Sequence, residues 1–141
     1  MTAQPGPGLF IGRHVLGLVA FAVIGLIVAF LWLWFTTRVL GVGRTGFGNA
    51  TAIIMMPLWG IGMGLLVWLP WWLLHRRKWG NMSAGRALIS GALAGLLVSL
   101  LLTGPRGFTT QGGAVLMAYA VILIGMLGAF AHNALLRRAS N

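Results

Sequence analysis

The chain has 141 residues, 59% of them apolar and 7% charged, with a mean hydropathy of +0.94; soluble globular domains carry roughly 25% charged residues, so a membrane protein is the expectation. Ten Lys/Arg stand against no Asp or Glu. No side-chain carboxylate is therefore present to pair a cation, couple ion movement or orient a catalytic histidine. The cations lie singly or in short groups between apolar runs, which argues against nucleic acid as the partner, and the absence of cysteine removes disulfides, thiol nucleophiles and thiolate metal sites.

Residues 1–8, with Pro5, Gly6, Pro7 and Gly8, read as a short polar tail. A first span is expected over 15–35, uncharged and long enough for a hydrocarbon core of about 30 Å. It ends in Trp32 and Trp34, an interfacial anchor rather than a signal-peptide cleavage site. Residues 36–50, carrying Arg38, Arg44 and four glycines, read as a loop. The second span, 52–74, contains Pro57 and Pro70 and runs through Trp68, Trp71 and Trp72 into His75, Arg76, Arg77 and Lys78. That is the pattern of a helix leaving a bilayer on the cytoplasmic side. The third span, 87–103, is short, and snorkelling of Arg86 allows its helix to begin near Ser83. After a break at 104–107, the fourth span covers 114–136 and closes with Arg137 and Arg138.

The expected fold is thus an all-α integral membrane protein of four transmembrane helices, one domain over 1–141. Seven cations fall on the side of the termini and second loop and three on the other, which places both termini in the cytoplasm of a bacterial cell with this inner-membrane protein. Spans two and four align at an offset of 61 (Met56 with Met117, Gly64 with Gly125, Arg76 and Arg77 with Arg137 and Arg138). Tandem hairpins of that kind would be related by a pseudo-two-fold axis along the membrane normal.

Small residues recur at packing distance: Gly17 and Gly25, Gly60 and Gly64, Gly91 and Gly95, Gly125 and Ala129. In lipid, close backbone approach through such positions draws helices together, first within the bundle and otherwise against a partner. The basic residues Arg76, Arg77, Lys78, Arg86, Arg137 and Arg138, with Trp68, Trp71 and Trp72, are the candidates for contact with anionic lipids or another subunit. His14, His75 and His132 all fall near the same face. His14 and His132 on neighbouring helices could bracket a b-type haem; the plainer reading has each histidine satisfied by lipid phosphate and water.

Gly41-Val-Gly-Arg-Thr-Gly46 matches G-x-G-x-x-G but lacks the strand, the amphipathic helix and the distant acid of a dinucleotide site; it reads as a turn, or at most an anion nest. Asn49-Ala-Thr51 fits a glycosylation acceptor pattern and carries little weight at the edge of a span. Ser83, Ser90, Ser99 and Ser140 have no carboxylate to complete a hydrolytic triad, so catalysis is not expected. The expected role is a non-catalytic accessory or assembly subunit of a larger respiratory, photosynthetic or secretion complex, packing against other integral membrane subunits or itself. The alternatives are a small oligomeric channel or transporter favouring anions, and a haem- or quinone-binding anchor.

Overall fold

The computed structural model describes residues 7–39, 46–75, 82–104 and 113–140, and all four segments are helical: α1 (Pro7–Arg38), α2 (Gly46–His75), α3 (Ala84–Thr103) and α4 (Gly113–Ser140). Each contains a stretch long and apolar enough to cross a membrane: Ile11–Arg38, Ile53–His75, Ala84–Thr103 and Val115–Arg138. Successive helices run antiparallel. The start of α1, the end of α2, the start of α3 and the end of α4 therefore share one end of the bundle, where His132 meets Arg13 and Asn133 meets Met82.

Helix ends differ from expectation in instructive ways. Helix α1 begins at Pro7, inside the stretch read as a tail, because proline in a first turn gives up only an N–H that has no intrahelical acceptor. It also continues beyond residue 35, with Thr36 Oγ1 and Thr37 Oγ1 donating to carbonyls of the preceding turn at 2.7–3.1 Å. The expected loop over 36–50 is shorter than the sequence suggested, since Gly46–Ala50 open α2. Helix α3 does begin beside Ser83, whose Oγ accepts from Arg86 N at 3.4 Å as an N-cap, which lengthens the 17-residue apolar run to 20 residues. It stops at Gly104, where φ is +65° and the amide donates to Leu100 O. Helix α2 continues through Pro57 and Pro70.

Two glycine seams close the bundle. In the first hairpin Gly25 and Ala29 of α1 face Gly60 and Gly64 of α2; a Cβ added at Gly60 would stand 2.6 Å from Ala29 Cβ, and one at Gly64 would collide with Phe21 O. In the second, Gly125 and Ala129 of α4 face Gly91 and Gly95 of α3, and a Cβ at Gly91 would stand 2.6 Å from Ala129 Cβ. The same small-residue sets thus meet in both hairpins, backbone against backbone. This correspondence matches α1 with α4 and α2 with α3, a relation distinct from the tandem one suggested by the 61-residue offset. Helices α2 and α4 are parallel, and Trp71 and His132, which are 61 residues apart, lie at equal depth.

Gly17, placed with the seam residues by spacing, serves another purpose. A Cβ there would stand 2.5 Å from Trp68 Nε1 and 3.0 Å from His132 Cε1, so its lack of a side chain admits two rings between α1, α2 and α4. Phe21 fills the next level, fully buried and lying where a Cβ on Gly128 would fall. Helix α3 packs chiefly on α4, with Ala87, Gly91, Ala94, Gly95, Val98 and Ser99 buried.

Candidate functional site

The histidines and their polar neighbours collect at the shared end of the helices, and they arrive there by register. His14 stands about one turn into the hydrophobic part of α1, Trp68 to His75 form the last two turns of α2, Met82 and Ser83 lead into α3, and His132 to Arg138 lie in the last turns of α4. Because the helices alternate in direction, residues near the start of α1 and α3 meet residues near the end of α2 and α4.

His132 is the centre of this region and is fully buried. Its Nδ1 accepts from Trp71 Nε1 at 3.2 Å, and its Nε2 lies 3.2 Å from Arg13 O. An indole N–H only donates and a carbonyl only accepts, so the two partners together assign the neutral tautomer with the proton on Nε2. One ring thereby ties α1, α2 and α4 together. Trp71, also fully buried, stacks on His75 with ring centroids 4.6 Å apart and lies 6.4 Å from Phe21.

A second aromatic set lies beside it. Trp68 and Trp72 stack at 6.0 Å, and His14 meets both edge-on at 6.4 and 5.9 Å. The three histidines read as sharing one face converge on one end of the bundle, each against tryptophan. Among the described residues no three His, Cys, Asp or Glu side chains gather as a metal would require.

This geometry does not fit the haem expected between His14 and His132. An axial ligand needs an unprotonated ring nitrogen aimed at iron. In His132 that nitrogen, Nδ1, is the acceptor of the Trp71 hydrogen bond, and the other carries the proton given to Arg13 O.

Asn133, the next residue, is 3% exposed and donates from Nδ2 to Met82 O at 2.9 Å; Arg137 Nη2 donates to the same carbonyl. Two side chains of α4 therefore hold the residue that precedes the N-cap of α3. Deeper in the bundle, Ser99 Oγ donates to Ala118 O at 3.3 Å, and Ser90 Oγ donates to Arg86 O within its own helix. Each of these hydrogen bonds holds a helix to itself or its neighbour, while, among the described residues, Asn133 Oδ1 and Trp68 Nε1 are buried without a hydrogen-bond partner.

Of the basic residues singled out from sequence, Arg86 and Arg138 are exposed at this end, and Arg137, also exposed, is joined to Met82. Arg76, Arg77 and Lys78 lie outside the described residues, as do Gly41, Gly43 and Arg44 of the glycine-rich stretch. The Trp71–His132 pair and the double anchorage of Met82 are not signalled by any local motif. The only trace of the first in the sequence is their 61-residue separation, the offset that aligns spans two and four.

No family model matches the chain, and no curated protein or solved structure is significantly similar to it.

Proposed function

We propose that the chain is a multi-pass protein of a bacterial inner membrane, with both termini in the cytoplasm, that serves as a non-catalytic accessory or assembly subunit of a larger membrane complex. The observation that carries this reading is the use made of the interior. The seams are filled by glycine and alanine to backbone contact, and the buried polar side chains among the described residues, His132, Asn133, Ser99 and Ser90, each make a hydrogen bond to this same chain. A conduction path needs polar groups spaced along the bundle axis, and a reaction site needs groups left for substrate. Among the described residues the interior hydrogen bonds hold the helices in one arrangement, and Trp32 Nε1, Trp68 Nε1 and Asn133 Oδ1 are buried polar atoms on which they do not draw.

The outward faces are the part of the molecule that remains for other work. Ile54, Leu58, Ile89 and Leu101 are 63–76% exposed on α2 and α3, and α2 and α3 touch each other less than either touches its hairpin mate. Apolar faces of this kind suit acyl chains or the helices of another subunit, which associate through packing rather than through hydrophobicity alone.

The test is purification of the tagged protein from its native membrane in mild detergent. A second integral membrane protein at fixed stoichiometry supports the proposal. Recovery as a free monomer, together with anion flux from the purified protein in liposomes, overturns it in favour of a channel.

A further inference from the structure

Between α1 and α4 an apolar groove of about 210 Å³ opens on the outside of the bundle, away from the α2 seam. Its α1 wall is Leu16, Val19, Ala20, Val23 and Ile24, spaced as one helical face, and its α4 wall is Ala131 and Leu135. Nothing polar lines it. Followed toward the polar end of the bundle, both walls continue into a cation. Arg13 is three residues before Leu16 on the same face of α1, and Arg138 is three residues after Leu135 on the same face of α4. Three residues are about 4.5 Å of helix, well within the length of an arginine side chain.

The neighbouring groups are otherwise engaged. Arg137 turns to Met82 on the α3 side, and His14 turns to Trp68 and Trp72 on the α2 side. Arg13 and Arg138 are exposed, in a chain that has no Asp or Glu to neutralise them. The hydrogen bond from His132 to Arg13 O fixes the approach of α1 to α4 at this level, so the backbone positions that carry the two cations lie at the end of the groove by the fold itself.

We propose that this groove is a binding site for one anionic phospholipid, with an acyl chain along the Leu16–Val23 face and the phosphodiester between Arg13 and Arg138. The charge complementarity selects the ligand: an uncharged apolar trench with two guanidinium groups at one end matches a molecule with an apolar chain and an anionic head. Arginine suits this role because its planar fork can bind phosphate oxygens in pairs. The inference rests on the membrane reading above but not on the existence of a partner subunit.

The experiment uses the full chain, first fractionated to establish that it resides in the membrane, then purified, delipidated and titrated with phosphatidylglycerol or phosphatidylcholine of identical chains while bound lipid is counted by native mass spectrometry. Fractionation separates failure of the membrane reading from failure of the site. A cation near an anionic headgroup is worth about a fivefold gain in affinity. Arg13→Ala with Arg138→Ala should therefore weaken phosphatidylglycerol binding about 25-fold, while Arg38→Ala, the same loss of charge at the far end of α1, leaves it unchanged. Ala131→Phe, which fills the trench without touching a charge, should also weaken binding. Unchanged helical content and tryptophan emission verify the fold of each variant. The site is overturned if the double arginine variant binds phosphatidylglycerol within threefold of the parent, if Arg38→Ala loses as much, if Ala131→Phe binds as the parent does, or if phosphatidylcholine binds equally well.

Discussion

Adding a single methyl group at Gly95 tests whether the hairpins are closed by backbone contact. A Cβ at this position stands 2.7 Å from Val121 O and 2.8 Å from Ile122 Cα, both backbone atoms that no rotamer change can move aside. Restoring ordinary contact at 3.4 Å requires α3 and α4 to part by about 0.7 Å, a gap at which each atom pair across the seam forfeits a quarter to a half of its dispersion energy. With about 40 such pairs at 0.1–0.2 kcal/mol each, the loss is on the order of 2 kcal/mol, within the range expected for overpacking. Gly62 is the matched control, since a Cβ there meets nothing within 4 Å. Gly62→Ala should change stability by less than about 0.5 kcal/mol, as a substitution away from packed contacts does. Unfolding in mixed micelles by increasing sodium dodecyl sulfate, followed by tryptophan emission, reads both. Gly95→Ala should shift the equilibrium about 30-fold toward unfolding relative to Gly62→Ala; equal stabilities would refute the seam as the source of cohesion.

The same assay applies to the imidazole that joins three helices. Trp71→Phe keeps most of the ring volume and leaves His132 Nδ1 buried without its donor, which should cost about 1–3 kcal/mol. A double-mutant cycle of Trp71→Phe with His132→Leu should give a coupling of about 1 kcal/mol, near the upper part of the range for side-chain hydrogen bonds inside membrane bundles, and additive single effects would show that the pair does not interact. Asn133→Ala removes one of the two donors to Met82 O and should raise amide exchange at the first turn of α3 while leaving the far end of that helix protected. Unchanged exchange there would contradict the anchoring role. Because both nitrogens of His132 are occupied, protein purified from cells supplied with haem precursors should show no Soret band, and a stoichiometric one lost in His132→Leu would overturn the tautomer assignment.

The number of helices and their order were legible because a charge-free run of about 20 residues has one cheap solution in lipid, a helix that satisfies its own backbone. The start of α3 was legible too, because snorkelling of Arg86 let the helix begin near Ser83 ahead of a short apolar run, but the capping bond of Ser83 was not. The seam residues were visible as small-xxx-small spacing, yet which glycine met which helix was not. Gly17 and Gly25 share a helix and a residue type, but one admits Trp68 and His132 and the other admits the backbone of α2. Spacing carries the face of a helix and not the identity of what packs on it. For the same reason His132 looked like an interfacial ligand: its depth could be counted from Arg137, but its partners, Trp71 and Arg13 O, lie 61 and 119 residues away in sequence. The groove between α1 and α4 was hidden because it belongs to a crossing of two helices and to neither sequence alone.

Side-specific labelling tests most directly whether four apolar helices cross the bilayer with the polar cluster at one face. The chain has no cysteine, so single cysteines at Gly12 and Gly85, where an added side chain meets nothing within 4 Å, and at the exposed Val39 can be introduced on a clean background. With a membrane-impermeant thiol reagent, Val39→Cys should label in intact cells, and Gly12→Cys and Gly85→Cys only after the membrane is opened. Labelling of Gly12→Cys and Gly85→Cys from opposite sides, or of all three from the same side, would contradict it.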